Sequence, residues 1–328
     1  MRNERRAAEE ERNGLFRRIL DFQKRGYAAE RDERLFEELA LSVARYQNET
    51  NPVLHRLSAG SLERIEEIPL VPTNLFSRFT IFSFDPSEAV AVFSSSGTTR
   101  SKRGRHFFRD LSLYRNSVFE GLKAVFGGGR YRVRSLISDE AESSLARMIS
   151  WMKEYWREAD LSDPVLVIGP AFSFVRLIDS GGTEPLPDGS LVIETGGYKG
   201  RSRTLEKREF YEALSRYFEV PEERILSEYG MCEISSPMWE EPPLRAGEGA
   251  RRGFRVPPWV RVKILDPATL RERDEGRAGV IAILDLANLD SSIGILTGDW
   301  GEVKEGRLLL SGRAEGSEAK GCSLNVEE

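Results

Sequence analysis

Four stretches decide the fold: PVLVIG at 164–169, LVI at 191–193, TLEKREFYEALSRYF at 204–218 and RILS at 224–227. The first, second and last are short apolar runs of strand length, and the third is a helical segment lying between two of them. Strands that are apolar throughout belong in a sheet covered on both faces, and each parallel crossover needs a connection of helix length. Working outward, the run Tyr131–Ile137 and the helical segment Glu142–Arg157 carry the same alternation upstream. Before them, Asp110 or Ser112 can cap a helix running to about Phe126, which Gly127, Gly128 and Gly129 stop. The expectation is an α/β fold with a doubly wound sheet over residues 86–240.

The flanks read differently. From Glu4 to about Tyr46, Leu35, Phe36, Leu39, Ala40, Val43 and Ala44 recur at helical spacing, so residues 1–85 are expected to form a helical segment packed on the body. Beyond Glu240 strands follow one another without helices, at Trp259–Leu265, Gly279–Leu286, Ile295–Val303 and Arg307–Ser311. Residues 241–328 are therefore expected to form a small β-rich subdomain and a C-terminal tail.

Composition narrows the function. In 328 residues, 40% hydrophobic and 31% charged, there is ample apolar material for a large core. The net charge of −5, spread over 48 basic and 53 acidic side chains, offers no concentrated basic field, so nucleic acid is not an expected partner. The opening MRNERRAAEEERNG has no apolar stretch after its basic residues, and no later run reaches spanning length; a cytoplasmic protein without a transmembrane segment is expected. Cys232 and Cys322 are too few for a disulfide framework, and His55 and His106 too few for a His-rich zinc site or a His-centred relay.

Several patches carry possible chemistry. The loop Ser94–Lys102 follows a strand at Glu88–Phe93 and offers hydroxyls at Ser95, Ser96, Thr98 and Thr99, a flexible Gly97, and the cations Arg100 and Lys102. Backbone amides and cations converging on one place suit a polyphosphate. The loop lacks the Gly-Lys-Ser/Thr ending of a P-loop, and by itself it reads equally as a solvated turn. SEYGMCE at 227–233 stands at the carboxyl end of a strand, where ligands of open α/β sheets gather; Tyr229 and Gly230 can border a nucleotide and Glu233 can hold Mg²⁺. An exposed glutamate at a strand end is the plainer account of Glu233. ETGGYKG at 194–200 places Gly197 beside Tyr198, where a flat base can approach the backbone. Asp299 of LTGDWG can accept ribose hydroxyls, and Arg313 of SGR can meet ribose or phosphate, although a hairpin turn and a solvated arginine explain these two as well.

In this order the patches resemble the adenylate-forming superfamily of acyl-CoA synthetases, adenylation domains and luciferases. Within it, the likeness is to the acyl-protein synthetases of bacterial bioluminescence, the LuxE-type long-chain-fatty-acid luciferin-component ligases, and it runs from about Ser94 to Leu324. HFFRD after SSSGTT, PPWVRVKILDP, DLANLDSS and above all the ending SGRAEGSEAKGCSL support the narrower resemblance. It implies that Ser95, Ser96, Gly97, Thr98, Thr99 and Lys102 hold the phosphates of ATP, that Gly197 and Tyr198 lie near adenine, that Glu233 binds Mg²⁺ and that Asp299 and Arg313 hold ribose. It also implies that Cys322 is the acyl-accepting cysteine.

Departures from the pattern are informative. Cys232 stands where most relatives have Thr or Ser, and Arg100 where many have glycine. Fifteen residues follow Arg313, where acyl-CoA synthetases carry a second domain with a catalytic lysine. That domain is expected to be absent, its charge being supplied by Arg100, Lys102 or Lys199. The expected reaction is ATP-dependent activation of a carboxylic acid, by resemblance a long-chain fatty acid, to acyl-AMP, then transfer to the Cys322 thiol and on to a protein acceptor such as an acyl reductase or a carrier protein. Two alternatives stand beside it: transfer to coenzyme A or a carrier protein, and a nucleotide-binding partner subunit without turnover.

Overall fold

A computed structural model describes residues 2–27, 29–58, 60–95, 104–138, 143–197, 205–241 and 252–313. The helices are α1 (Arg2–Gln23), α2 (Glu33–Thr50), α3 (Pro52–Leu57), α4 (Ser112–Phe126), α5 (Ser144–Tyr155), α6 (Ala171–Asp179) and α7 (Lys207–Phe218). The strands are β1 (Val71–Pro72), β2 (Ala91–Ser94), β3 (Arg105–Phe108), β4 (Arg132–Ser135), β5 (Val165–Gly169), β6 (Leu191–Glu194), β7 (Ile225–Tyr229), β8 (Met238–Glu240), β9 (Phe254–Arg255), β10 (Val260–Leu265), β11 (Gly279–Asp285), β12 (Gly294–Lys304) and β13 (Arg307–Arg313). Local chemistry sets several helix starts. Asp32 accepts from Leu35 N at 3.0 Å ahead of α2, and Ser143 Oγ from Ala146 N at 3.1 Å ahead of α5. Asp110 accepts from Ser112 N at 2.6 Å, while Gly127, with φ of 63°, closes α4 as the glycine run predicts.

The order β4-β5-β6-β7 is parallel throughout, and its two faces are covered by different helices. Leu166, Ile168, Leu191, Ile193 and Leu226 pack with α4 and α5, whereas Val167, Val192 and Ile225 pack with α6 and α7. This is the doubly wound arrangement that the apolar runs require. From β7 onward the neighbours β8, β9, β13, β12, β11 and β10 pair antiparallel, so one continuous sheet changes character at β7.

Strand β12 bends at a bulge between Trp300 and Gly301. Near its start, Ile295 and Leu296 pair in parallel with β1, and its second half pairs with β13. Helices α1 and α2 pack on this antiparallel half, Ile19, Phe36, Leu39 and Val43 joining one apolar cluster with Ile281, Ile283 and Ile295. The hairpin β2–β3 stands apart from the large sheet and carries the Ser/Thr-Gly loop at its tip.

Candidate active site

The loop is clamped at its base. Ser95 N donates to Gly104 O and Gly104 N donates to Ser95 Oγ, each at 2.9 Å. Ser96, Gly97, Thr98, Thr99 and Lys102 lie outside the described residues, as do Tyr198 and Cys322.

Across from the hairpin, β6 and β7 end side by side. Gly196 and Gly197 take φ of 67° and 77°, backbone that a side chain would strain, and Glu194 Oε2 holds this turn by accepting from Gly196 N at 2.6 Å. On the α6–α7 side, Glu194 Oε1 also accepts from the Ser227 hydroxyl. Tyr211 Oη lies 2.8 Å from Ser227 Oγ, and Glu240 accepts from Ser227 N at 2.9 Å. Burial raises the Glu240 carboxyl, against the opposing pull of Lys207 and Arg252.

At the last residue of β7, Tyr229 donates its hydroxyl to Asp299 Oδ2 at 2.8 Å in a buried contact. Asp299 N in turn donates to Thr297 Oγ1 at 3.1 Å, and Thr297 donates to Ile281 O at 2.8 Å, so the Thr-Gly-Asp turn is tied to the neighbouring strand. Arg313 lies opposite Asp299 in the β12–β13 register, which brings these two predicted ribose residues together along the backbone.

Glu233 follows β7 by one turn. Its Oε1 lies 3.4 Å from His106 Nε2, the side chains being 10% and 3% exposed. The distance is that of an ionic contact, yet the angles are not those of a hydrogen bond, and Nε2 has no hydrogen-bond partner. Behind it, Asn288 Nδ2 donates to Glu233 O at 2.8 Å and Ser235 donates to Asn288 Oδ1 at 2.8 Å. Asp285 collects Ser235 N, Ser236 Oγ and Ala287 N at 2.7–2.9 Å, and burial pushes its carboxyl up to about 6. Thus DLANLDSS braces the turn that presents Glu233. Cys232 Sγ, next to it, lies 3.2 Å from Ser144 Oγ and 3.8 Å from Ser94 O, a packing neighbour of the hairpin.

One cavity of about 320 Å³ unites these pieces: Ser95, Gly197, Tyr229, Gly230, Glu233 and Asp299 all line it, with Gly312 at its edge. The sequence reading of the described site residues therefore converges in space. It missed Thr195, Tyr211, Ser227, Glu228, Glu240 and Arg252, which line the same cavity. A signal existed for three of them, since Thr195 stands in ETGGYKG and Ser227 and Glu228 in SEYGMCE.

The residues present suit a nucleotide: a flat approach over two glycines, a buried carboxylate able to accept hydroxyls and a second carboxylate beside the β2–β3 hairpin. Among the described residues no three His, Cys, Asp or Glu side chains form a metal cluster. A divalent cation on Glu233 would complete its shell with water and substrate oxygen, which is the habit of Mg²⁺.

Solved structures share this fold at low identity. A 2-hydroxyisobutyryl-CoA ligase in complex with 2-HIB-AMP aligns with a TM-score of 0.61 and 14% identity over 84% of this chain and 66% of that one. ATP-bound MatB from Rhodopseudomonas palustris aligns with a TM-score of 0.50 and 16% identity over 72% of this chain. The aligned part spans about half of MatB, 50% of its chain. The fold is that of the adenylate-forming enzymes. A long-chain-fatty-acid–luciferin-component ligase of Vibrio harveyi is 26% identical over 319 residues, 83% of this chain and 81% of that protein. Residues 130–328 match the family described as acyl-protein synthetase, LuxE, and the chain belongs to that family of ligases.

Proposed function

We propose that the protein uses ATP to convert a long-chain fatty acid to its acyl-adenylate and passes the acyl group to the Cys322 thiol and then to a partner protein. The observation that carries this reading is the single cavity in which Ser95, Gly197, Tyr229, Gly230, Glu233 and Asp299 meet. In the first step a carboxylate oxygen of the acid attacks the α-phosphorus of ATP, the bond to the bridging oxygen breaks, and pyrophosphate leaves. Asp299, held by Tyr229, fixes the ribose, and the loop from Ser95 to Lys102 takes the phosphates, Lys102 offsetting charge on the departing pyrophosphate. Mg²⁺ on Glu233, when bound, supplies further charge neutralisation at the phosphates.

In the second step the Cys322 sulfur attacks the acyl carbonyl carbon, AMP departs with the former carboxylate oxygen, and the thiol proton goes to solvent. Cys322 stands nine positions beyond Arg313, whose backbone pairs with Asp299 at the cavity edge. Nine extended residues span at most about 30 Å, which bounds how far Cys322 can stand from the β12–β13 pair.

ATP–pyrophosphate exchange with Mg²⁺ and acids from acetate to palmitate tests the first step. Long-chain acids are expected to drive exchange, and Glu233→Gln to lower it by about 100-fold, in line with loss of one charge-stabilising group. Exchange at the acid-free level for every acid would overturn the reading. Cys322→Ser is expected to keep exchange while abolishing hydroxylamine-labile acylation of the protein; retained acylation would direct the transfer step to another acceptor.

A further inference from the structure

The α4–α5 wall of the cavity carries two polar groups that nothing above uses. Strand register pairs Ile193 with Leu226 and Glu194 with Ser227, so one step further on Thr195 and Glu228 are neighbours. Alternation puts them on the side of Ile193 and Leu226, facing α4 and α5, whereas Glu194 and Ser227 face α7. Both line the cavity, and both are buried, Thr195 at 1% and Glu228 at 7% exposure.

Thr195 Oγ1 is buried without a hydrogen-bond partner, and the Glu228 carboxyl, which no hydrogen bond ties to a described residue, opens on the cavity. That carboxyl occupies the space over Gly230: a Cβ added to Gly230 would come within 2.2 Å of Glu228 Oε1. A side chain at 230 would therefore push the Glu228 carboxyl, the flexible end of its side chain, out of this position. A buried hydroxyl left without a partner is costly, and a ligand that pairs it recovers that cost.

We propose that Thr195 and Glu228 form the seat of the substrate's carboxyl group, each donating a hydrogen bond to one of its oxygens, with the apolar tail running along Ile137, Leu145 and Met148. This deepens the adenylating function above and rests on it. Thr195 and Glu228 line the same cavity as Gly197, Asp299 and Glu233, so an acid seated on them shares it with the nucleotide.

Charge supports the assignment. The cavity has to accept a carboxylate beside a polyphosphate, and an ionised glutamate there would repel both. Burial first, and the nearby Glu194 second, push the Glu228 carboxyl up to about 8, so at pH 7 it is a neutral acid with a proton to donate. The other charged or titratable groups around the cavity are Tyr229 from β7, Glu240 from β8, Tyr211 and Lys207 from α7, Tyr114 from α4, Arg252, Asp299, and Cys232 and Glu233 from the turn after β7. Once the adenylate forms, the donor on the oxygen that did not attack faces the carbonyl oxygen, the atom that gains charge when a thiolate attacks.

The test is the dependence of pyrophosphate exchange on decanoate concentration between pH 6.5 and 9, with decanoate binding measured separately without ATP by competition against a fluorescent fatty acid. For the wild type, the acid KM and dissociation constant should be flat below pH 8 and rise about tenfold per pH unit above it as Glu228 ionises. Glu228→Gln, which keeps a donor that cannot titrate, should bind decanoate at pH 7 and lose the alkaline rise. Glu228→Leu and Thr195→Val should each weaken decanoate binding at least tenfold with the KM for ATP unchanged. Unchanged decanoate affinity in the folded Leu and Val variants, or the same alkaline rise in Glu228→Gln, would overturn the seat while leaving adenylation intact. A wild type that exchanges with no acid would instead overturn the adenylation reading, and the seat with it.

Discussion

Tyr229 shows how one side chain can do two jobs at this site. Tyr229 lines the cavity, and its hydroxyl donates to Asp299, which is buried. Removing the hydroxyl leaves the carboxylate in place with one restraint fewer. Tyr229→Phe should therefore raise the KM for ATP about five- to tenfold, the equivalent of roughly 1 kcal/mol, with little change in the KM for the acid. Steady-state exchange kinetics with each substrate varied in turn would separate the two. His106 is the other instructive residue. The sequence offered two histidines and no reason to choose either, because the partner that matters, Glu233, is 127 positions away and meets it only through the hairpin. Phe76 packs at a tilt against the imidazole with centroids 4.6 Å apart, so its placement is as much a packing outcome as a polar one.

At the scale of elements, the sequence was most readable where a run has one environment along its length. The four-residue strand β6 is buried at every position, and its apolar run announces that. Helix α6 was missed as a helix because Ala171–Val175 reads as an undifferentiated apolar segment, and it starts directly after β5 with Pro170 as its cap. Strands β8 and β9 are three and two residues long, too short for any periodicity to register. Helix α1 was legible, but its anchoring was not: Arg12 makes a two-pronged contact with Asp290, Nε to Oδ1 at 2.9 Å and Nη2 to Oδ2 at 2.5 Å. With the two side chains 8% and 12% exposed, removing the guanidinium strands a buried carboxylate. Arg12→Ala should lower the unfolding free energy by about 3 kcal/mol in urea, and the loss should reach the site, because Asp290 belongs to the segment that braces Glu233.

Over the whole molecule, the cavity draws its walls from residues as far apart as Thr73 and Gly312, so a ligand there bridges the parallel and antiparallel halves of the sheet. ATP with Mg²⁺ at about 100 times its dissociation constant should add roughly 2.7 kcal/mol of stability and raise the melting midpoint of one cooperative transition. A calorimetric trace in which only part of the transition moved would show the halves to be independent. No helix among the described residues is long and apolar enough to cross a membrane. The weave of early and late segments has a temporal consequence. Arg12 finds Asp290 across 278 positions, and Val71 lies beside Ile295 in the β1–β12 pair. At about 5–20 residues per second, a ribosome needs roughly 15–55 s between making one end of the Arg12–Asp290 pair and the other. Throughout that interval the apolar face of α1 and α2 waits without its strands, so a nascent chain stalled before β12 should be captured by a chaperone that binds exposed apolar helices, and one extended past Arg313 should be released.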